Sequence, residues 1–381
     1  MAARFEWFGA TASKDSSLEL APQCCLAVTA AQNDSHGDGG QRIQRRLWDT
    51  FAREGALSNG HGMAILMSVS MRGGLGPVDY ISRYASPELR NPVLVAAFAG
   101  WNDASEAATF AVRFLIQQWR ARKLAEIDPE EFFVFTDSRP HVRVAGRFQR
   151  RVDWPANEFF YHTDPGGERD YVLLLGTEPQ LKWRTFTNSV LAFCRQQGIQ
   201  TIVTLGGLVA DVPHTLPVRL SGVGSPAWLA RKMRRMGIAP TRYEGPTGIV
   251  GVLNAASARK RMVTASLWAP SPEYLSASPN PKVALALLTA LQGLFDLPVE
   301  LADLRSLEEQ FDRQVADLVA GDAELQDYVR QLEEQARAEE AASLEAEEQK
   351  PLPSGEELIR EVEEYLRRRR AQGGEPAEPG Q

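Results

Sequence analysis

Pro92-Val93-Leu94-Val95-Ala96-Ala97-Phe98-Ala99-Gly100-Trp101-Asn102-Asp103-Ala104-Ser105-Glu106-Ala107-Ala108-Thr109-Phe110-Ala111-Val112-Arg113-Phe114-Leu115-Ile116 decides how the chain is read. The run Val93 to Ala99 is apolar and short, as expected of a strand covered on both faces. Gly100-Trp101-Asn102-Asp103 interrupts it with a polar turn, in which Gly100 supplies backbone freedom and Asn102 or Asp103 is placed to cap a helix. From Ala104 the period changes: Ala107, Phe110, Ala111, Phe114 and Leu115 recur every three or four residues, one face of a helix. Strand, tight loop and helix make half of a parallel crossover unit, and in open α/β sheets ligands collect at the carboxyl ends of such strands.

The same alternation continues outward. Short strands are expected at Phe132 to Thr136 and Phe159 to His162, with an Arg-loaded irregular strand or hairpin over Val142 to Val152. Further buried strands are expected at Tyr171 to Leu175, Thr201 to Leu205 and Val263 to Trp268. Helices are expected over Trp183 to Gln197, Pro226 to Met236, the Ala-rich stretch up to Lys260, and Pro281 to Phe295. This pattern predicts a three-layer α/β/α sandwich on a mostly parallel sheet, with some antiparallel strands. The expected organisation is a poorly structured extension over 1–75, an α/β core over 78–300 and an amphipathic helical extension over 301–349. A linker, a charged helix and a disordered tail are expected over 350–381. Met63, Met67 and Met71 offer later starts for the chain.

Of the net charge of −7, residues 301–381 hold −12, from 10 Lys or Arg against 22 Asp or Glu, which leaves +5 for residues 1–300. The acidic character belongs to the C-terminal part, and nothing in the charge pattern points to nucleic acid. Cys24, Cys25 and Cys194 make no disulfide framework, so a reducing, cytoplasmic setting is expected. Neither a signal peptide nor a membrane-spanning run is expected from the pattern of apolar residues.

Four Gly-containing loops are expected at one edge of the sheet: Gly100-Trp101-Asn102-Asp103, Gly176-Thr177-Glu178, Gly206-Gly207 followed by Asp211 and His214, and Gly245-Pro246-Thr247-Gly248. Together they form a candidate ligand-binding edge. The last loop precedes a helix and has the makings of an anion site, yet it is neither a Walker loop nor a Rossmann fingerprint. Otherwise its glycines only make a tight turn. Asp211 with His214 has the composition of an acid–base pair, but no Gly-x-Ser-x-Gly elbow or reactive thiol supplies a nucleophile. The simpler reading has both side chains holding backbone. Trp101 is expected first as a buried anchor of its loop and second as an exposed ligand platform. His141, His162 and His214 lack metal-ligand spacing. No catalytic residue, metal or cofactor is assigned.

Four segments together resemble a known family: Ala97 to Asp103, Leu205 to Thr215, Tyr243 to Ile249 and Leu267 to Tyr274. They look like the actinobacterial branch of the proteasome assembly chaperone family, the one named for the second eukaryotic assembly chaperone, over roughly Val78 to Leu332. The resemblance implies a nucleoside-phosphorylase-like fold and a homo-oligomer, with a trimer as the first expectation. It carries over no catalytic residues. Proteasome subunits are the partner it implies, and a hydrophobic–Tyr–any-residue ending docks some relatives on the proteasome ring. This chain ends Glu378-Pro379-Gly380-Gln381, which departs from that ending. Members are sometimes labelled carboxylate–amine ligases or grouped with ATP-grasp enzymes, and no residue pattern here supports ATP-dependent ligation. Two readings follow: an oligomeric chaperone-like scaffold linked to the proteasome, and, as the alternative, a nucleoside- or phosphoester-type small-molecule enzyme or binder using the four-loop edge.

Overall fold

The computed structural model describes residues 80–145, 149–275 and 277–348. The expected N-terminal extension over 1–75, and the linker, charged helix and tail over 350–381, lie outside the described residues. The strands are β1 (Ile81–Arg83), β2 (Val93–Ala99), β3 (Arg122–Ile127), β4 (His141–Ala145), β5 (Gln149–Asp153), β6 (Asn157–His162), β7 (Tyr171–Thr177), β8 (Thr201–Ala210), β9 (Ser221–Ser225), β10 (Ala239–Pro240) and β11 (Val263–Pro272). The helices are α1 (Ala107–Gln118), α2 (Trp183–Gln196), α3 (Ala227–Arg235), α4 (Ile249–Arg259), α5 (Pro281–Phe295), α6 (Ala302–Ala320) and α7 (Ala323–Glu348).

Nine strands form one sheet in the order β1-β3-β6-β7-β2-β8-β11-β9-β10, and β4 with β5 make a separate hairpin. The four central strands β7, β2, β8 and β11 are parallel. Antiparallel β6, β3 and β1 extend the sheet on one side; on the other, β9 joins β11 antiparallel and β10 joins β9 parallel. The α/β class expected from the sequence is therefore the observed one.

Strand β2 shows why there are three layers. Its side chains alternate between faces, as the strand period of two requires. Val93, Val95 and Ala97 join a core with Leu115 of α1, Leu229 of α3, Leu288 of α5 and Leu304 of α6. Leu94, Ala96 and Phe98 join a second core with Phe186 of α2 and Leu253 of α4. Helix α5 starts cleanly because Asn280 accepts the Val283 N–H at 3.2 Å through its side chain and Pro281 occupies the first turn, where no donor is needed.

Three expectations need correction. Phe132 to Thr136 is not a strand: Phe132 and Phe133 donate their N–H groups back to the Pro129 carbonyl, so the segment coils locally and plugs its two buried rings into the second core. Gly206 and Gly207 do not end a strand. They lie inside β8, which with β11 runs on as a ribbon past β2, pairing Gly206 with Trp268 and Gly207 with Ala269. The Gly245 loop follows the two-residue β10, which is antiparallel to the central strands, rather than a parallel strand. Strands β1, β3, β9 and β10 were not expected from the sequence.

Candidate functional site

The carboxyl ends of β2, β7 and β8 and the start of α4 meet, and the contact is made by buried polar groups. Gly100 leaves β2 with φ of +125°, a region open to glycine, and a Cβ there would sit 3.3 Å from Glu178 Cβ. Asn102 is fully buried. Its Nδ2 donates to Glu178 Oε1 at 2.6 Å, and the same carboxylate oxygen accepts the Ile249 N–H at 2.8 Å. The Glu178 carboxylate thus occupies the first turn of α4, the position an anion would take in the Gly245-Pro246-Thr247-Gly248 loop. The Asn102 carbonyl accepts the Gly207 N–H at 2.8 Å, and Asp103 forms a parallel bridge to Gly207.

Asp103 is buried and caps α1 from outside its first turn. Its Oδ1 accepts the N–H groups of Ala108 and Thr109 at 2.8 and 3.1 Å, and Oδ2 accepts the Thr109 hydroxyl. Burial pushes the Asp103 carboxyl above the usual range, against the pull of these donors. Between cap and helix, Ser105 and Glu106 both take left-handed backbone, with φ of 52° and 49°. Two side bonds pin that turn: the Ser105 carbonyl accepts the Asn280 N–H at 3.0 Å, and Ser105 and Ser271 share a hydroxyl hydrogen bond of 2.7 Å.

Trp101 corrects the expectation of a buried anchor. It is 61% exposed, and its buried neighbours Asn102 and Asp103 hold the loop instead. The edge carries further exposed apolar groups: Val209 at the end of β8 is 61% exposed, Tyr243 before α4 is 64% exposed, and Leu208 is also exposed. Gly245 packs against the Tyr243 ring, and Thr247 sits against Gly251 and Gly248, with no hydrogen-bond partner from another loop among the described residues.

Asp211 and His214 do not pair with each other. Asp211 accepts the Tyr328 hydroxyl of α7 at 3.3 Å. The Tyr274 oxygen accepts the His214 backbone N–H at 2.6 Å and lies 2.7 Å from His214 Nδ1. Burial pushes the Tyr274 hydroxyl up to about 12, so it keeps its proton at neutral pH. Around this pair Lys282 donates to the His214 carbonyl and bonds Asp312 at 2.9 Å, and Thr215 donates to Glu333 of α7. Tyr274 and Tyr328 make this the seat of α7, and their pairing with His214 and Asp211 was not expected from the sequence.

Burial first, and then the charge of Lys282, hold His214 below the ordinary histidine value, against the pull of Asp312 and Glu333. A histidine depressed in the folded state contributes stability that is present above its ordinary value, about 6.5, and is lost as pH falls through the lowered one. Thermal unfolding between pH 7.5 and 5 is expected to show a fall in stability that His214→Gln flattens. Equal slopes in the two proteins would contradict the assignment.

Among the described residues no helix is long and apolar enough to cross a membrane, and no group of three His, Cys, Asp or Glu side chains is arranged to hold a metal ion. No curated protein matches the chain. Among solved structures, a PAC2 family protein from Streptomyces avermitilis is 41% identical with a TM-score of 0.58; the match covers 62% of this chain and 99% of that one. A proteasome-assembly chaperone homologue from Mycobacterium tuberculosis is also 41% identical, with a TM-score of 0.57 and the same coverage. PbaB of Pyrococcus furiosus, an archaeal proteasome activator, shares the fold at 21% identity and a TM-score of 0.51, over 62% of this chain and 97% of that one. The PAC2 family model matches residues 97–319, a span that contains all four loops of the carboxyl edge, and the chain belongs to the PAC2 family.

Proposed function

We propose that this protein is an oligomeric, chaperone-like scaffold that acts in the cytoplasm on proteasome subunits or their precursors, and that the carboxyl edge of its sheet is the face that docks them. Membership of the PAC2 family and the 41% identity to a proteasome-assembly chaperone homologue support the proteasome link. The observation that carries the docking face is the division between the inside and the outside of the edge. Inside, Asn102 Nδ2 and Glu178 bond each other, Glu178 and Asp103 hold the first turns of α4 and α1, and Asn102 Oδ1 is left without a partner among the described residues. Outside, Trp101, Leu208, Val209 and Tyr243 stand in solvent, the kind of aromatic and aliphatic side chains that anchor protein interfaces. The small-molecule reading has less support, because the protein's own Glu178 carboxylate fills the anion position and Asp211 is drawn away from His214 by Tyr328.

The test is retention of proteasome subunits on immobilised protein, wild type against a Trp101→Ala/Val209→Asp double variant. Both side chains are exposed, so melting should be unchanged while retention falls at least tenfold. No retention by the wild type would end the proteasome reading, and equal retention by both would move the docking face elsewhere.

A further inference from the structure

Two stretches of this chain carry opposite charge in unusual concentration. Residues 219–261 hold nine Lys or Arg against one Glu, and residues 301–348 hold fifteen Asp or Glu against four Arg. The first stretch includes α3, whose inner face is closed by buried Leu229 and Met233. On the opposite face, Trp228, Arg231 and Arg235 follow one another at helical spacing, all exposed, with Arg234 alongside and Arg242 beyond the helix. Among the described residues none of these four guanidinium groups meets a carboxylate. Arg231 stands three and four residues from Arg234 and Arg235, where like charges weaken an isolated helix. A cation row of that kind, beside an exposed tryptophan, has the composition of an interface centre.

The second stretch is α6 with α7. Glu324, Asp327 and Glu334 lie exposed along one side of α7, while Val329 and Leu332 face inward and are buried. Within one chain, and among the described residues, a single ion pair joins the two stretches: Arg219 to Glu340, at 2.8 Å. Other acidic groups pair locally, Asp312 with Lys282, Asp327 with Arg330 and Glu333 with Arg337, while Glu324 and Glu334 meet no cation among the described residues and are left to pair between molecules. The edge strand next to α3 is β10, two residues long and ending in Pro240, which blocks strand addition and leaves the α3 side chains as the contacting surface.

We infer that α3 docks the acidic α6–α7 pair of a second copy of this chain, with Trp228 packed at the centre and Arg231, Arg234 and Arg235 facing Glu324 and Glu334. The two surfaces differ, so the contact is head to tail and repeats until a ring closes. The inference rests on the self-association part of the proposed function and is independent of the docking face at the carboxyl edge.

Light scattering coupled to size exclusion reads the outcome. The full chain should be oligomeric at about 50 mM salt and shift toward monomer at about 500 mM, where the screening length is a few ångströms. Arg231→Glu/Arg235→Glu should abolish the oligomer with an unchanged melting temperature, and Glu324→Arg/Glu334→Arg should do the same. A quadruple variant carrying both reversals should associate again. A monomeric wild type at low salt, an oligomer indifferent to either reversal, or a quadruple variant that stays monomeric would each overturn the inference. Loss of proteasome retention with this pattern intact would count against the docking face alone.

Discussion

Gly248→Ala is expected to destabilise the protein by about 3 kcal/mol or more, read from chemical denaturation, although it adds one methyl group to the start of a helix. A Cβ at Gly248 would lie 2.6 Å from Asn102 Cγ and closer still to the amide oxygen and nitrogen. Asn102 is fully buried and has nowhere to go. Its Nδ2 is committed to Glu178, whose same oxygen holds the Ile249 N–H. Making room for the methyl therefore breaks a charge-assisted hydrogen bond, worth about 1.5–3 kcal/mol, and displaces a buried amide. Gly198→Ala is the control. Its φ of +71° makes alanine strained, but nothing lies within 4 Å of the added carbon, so the loss there should stay near 1 kcal/mol. Equal losses at the two sites would mean that the Asn102–Glu178 clamp carries no weight.

How far the sequence discloses this clamp depends on what kind of signal each part leaves. Strand β2 was legible because seven consecutive small and apolar residues fit a strand buried on both faces. Strand β3 was not: Arg122, Lys123 and Glu126 interrupt its apolar set, and only its pairing with β6 and β1 buries Leu124, Ala125 and Ile127. Glycine misled in β8. Gly206 and Gly207 have the look of a turn, yet they sit in a ladder because the Trp268 ring and the Ala104 backbone occupy the space where Cβ atoms would be. The same ambiguity hid Trp101, since a tryptophan on a polar loop does not say whether it or its neighbours hold the loop. Asp211 and His214 stand three positions apart, and proximity in sequence made them look like a pair. Their partners, Tyr328 and Tyr274, come from 117 and 60 residues away. Position along the chain thus disclosed where the edge would be, while the division of its residues into clamp and exposed face followed from tertiary contacts.

Asp103→Ala is the second large effect expected, about 3 kcal/mol. Asp103 accepts three donors at the start of α1, two of them the backbone N–H groups of Ala108 and Thr109. The residue next to the helix, Glu106, offers no side-chain cap, so without Asp103 these buried donors have no replacement. Loss of a helix cap costs about 0.5–2 kcal/mol, and buried donors left unmatched add about 1–3 kcal/mol. The turn also holds Ser105 and Glu106 in left-handed backbone, which costs roughly 1–2 kcal/mol per residue and is sustained only while the cap fixes both ends. Asp103→Asn keeps an acceptor for the two N–H groups and should lose about 1 kcal/mol at neutral pH. Because burial raises the Asp103 carboxyl in the folded state, its contribution to stability is full below the ordinary aspartate value and declines as pH rises through the raised one. The gap between wild type and Asp103→Asn should therefore widen on acidification, and a gap that is constant with pH would show that Asp103 is ionised in the fold without penalty. If Asp103→Ala unfolds no more easily than Asp103→Asn, the left-handed turn is held by Asn280 and Ser271 instead, and Ser271→Ala becomes the variant that releases it.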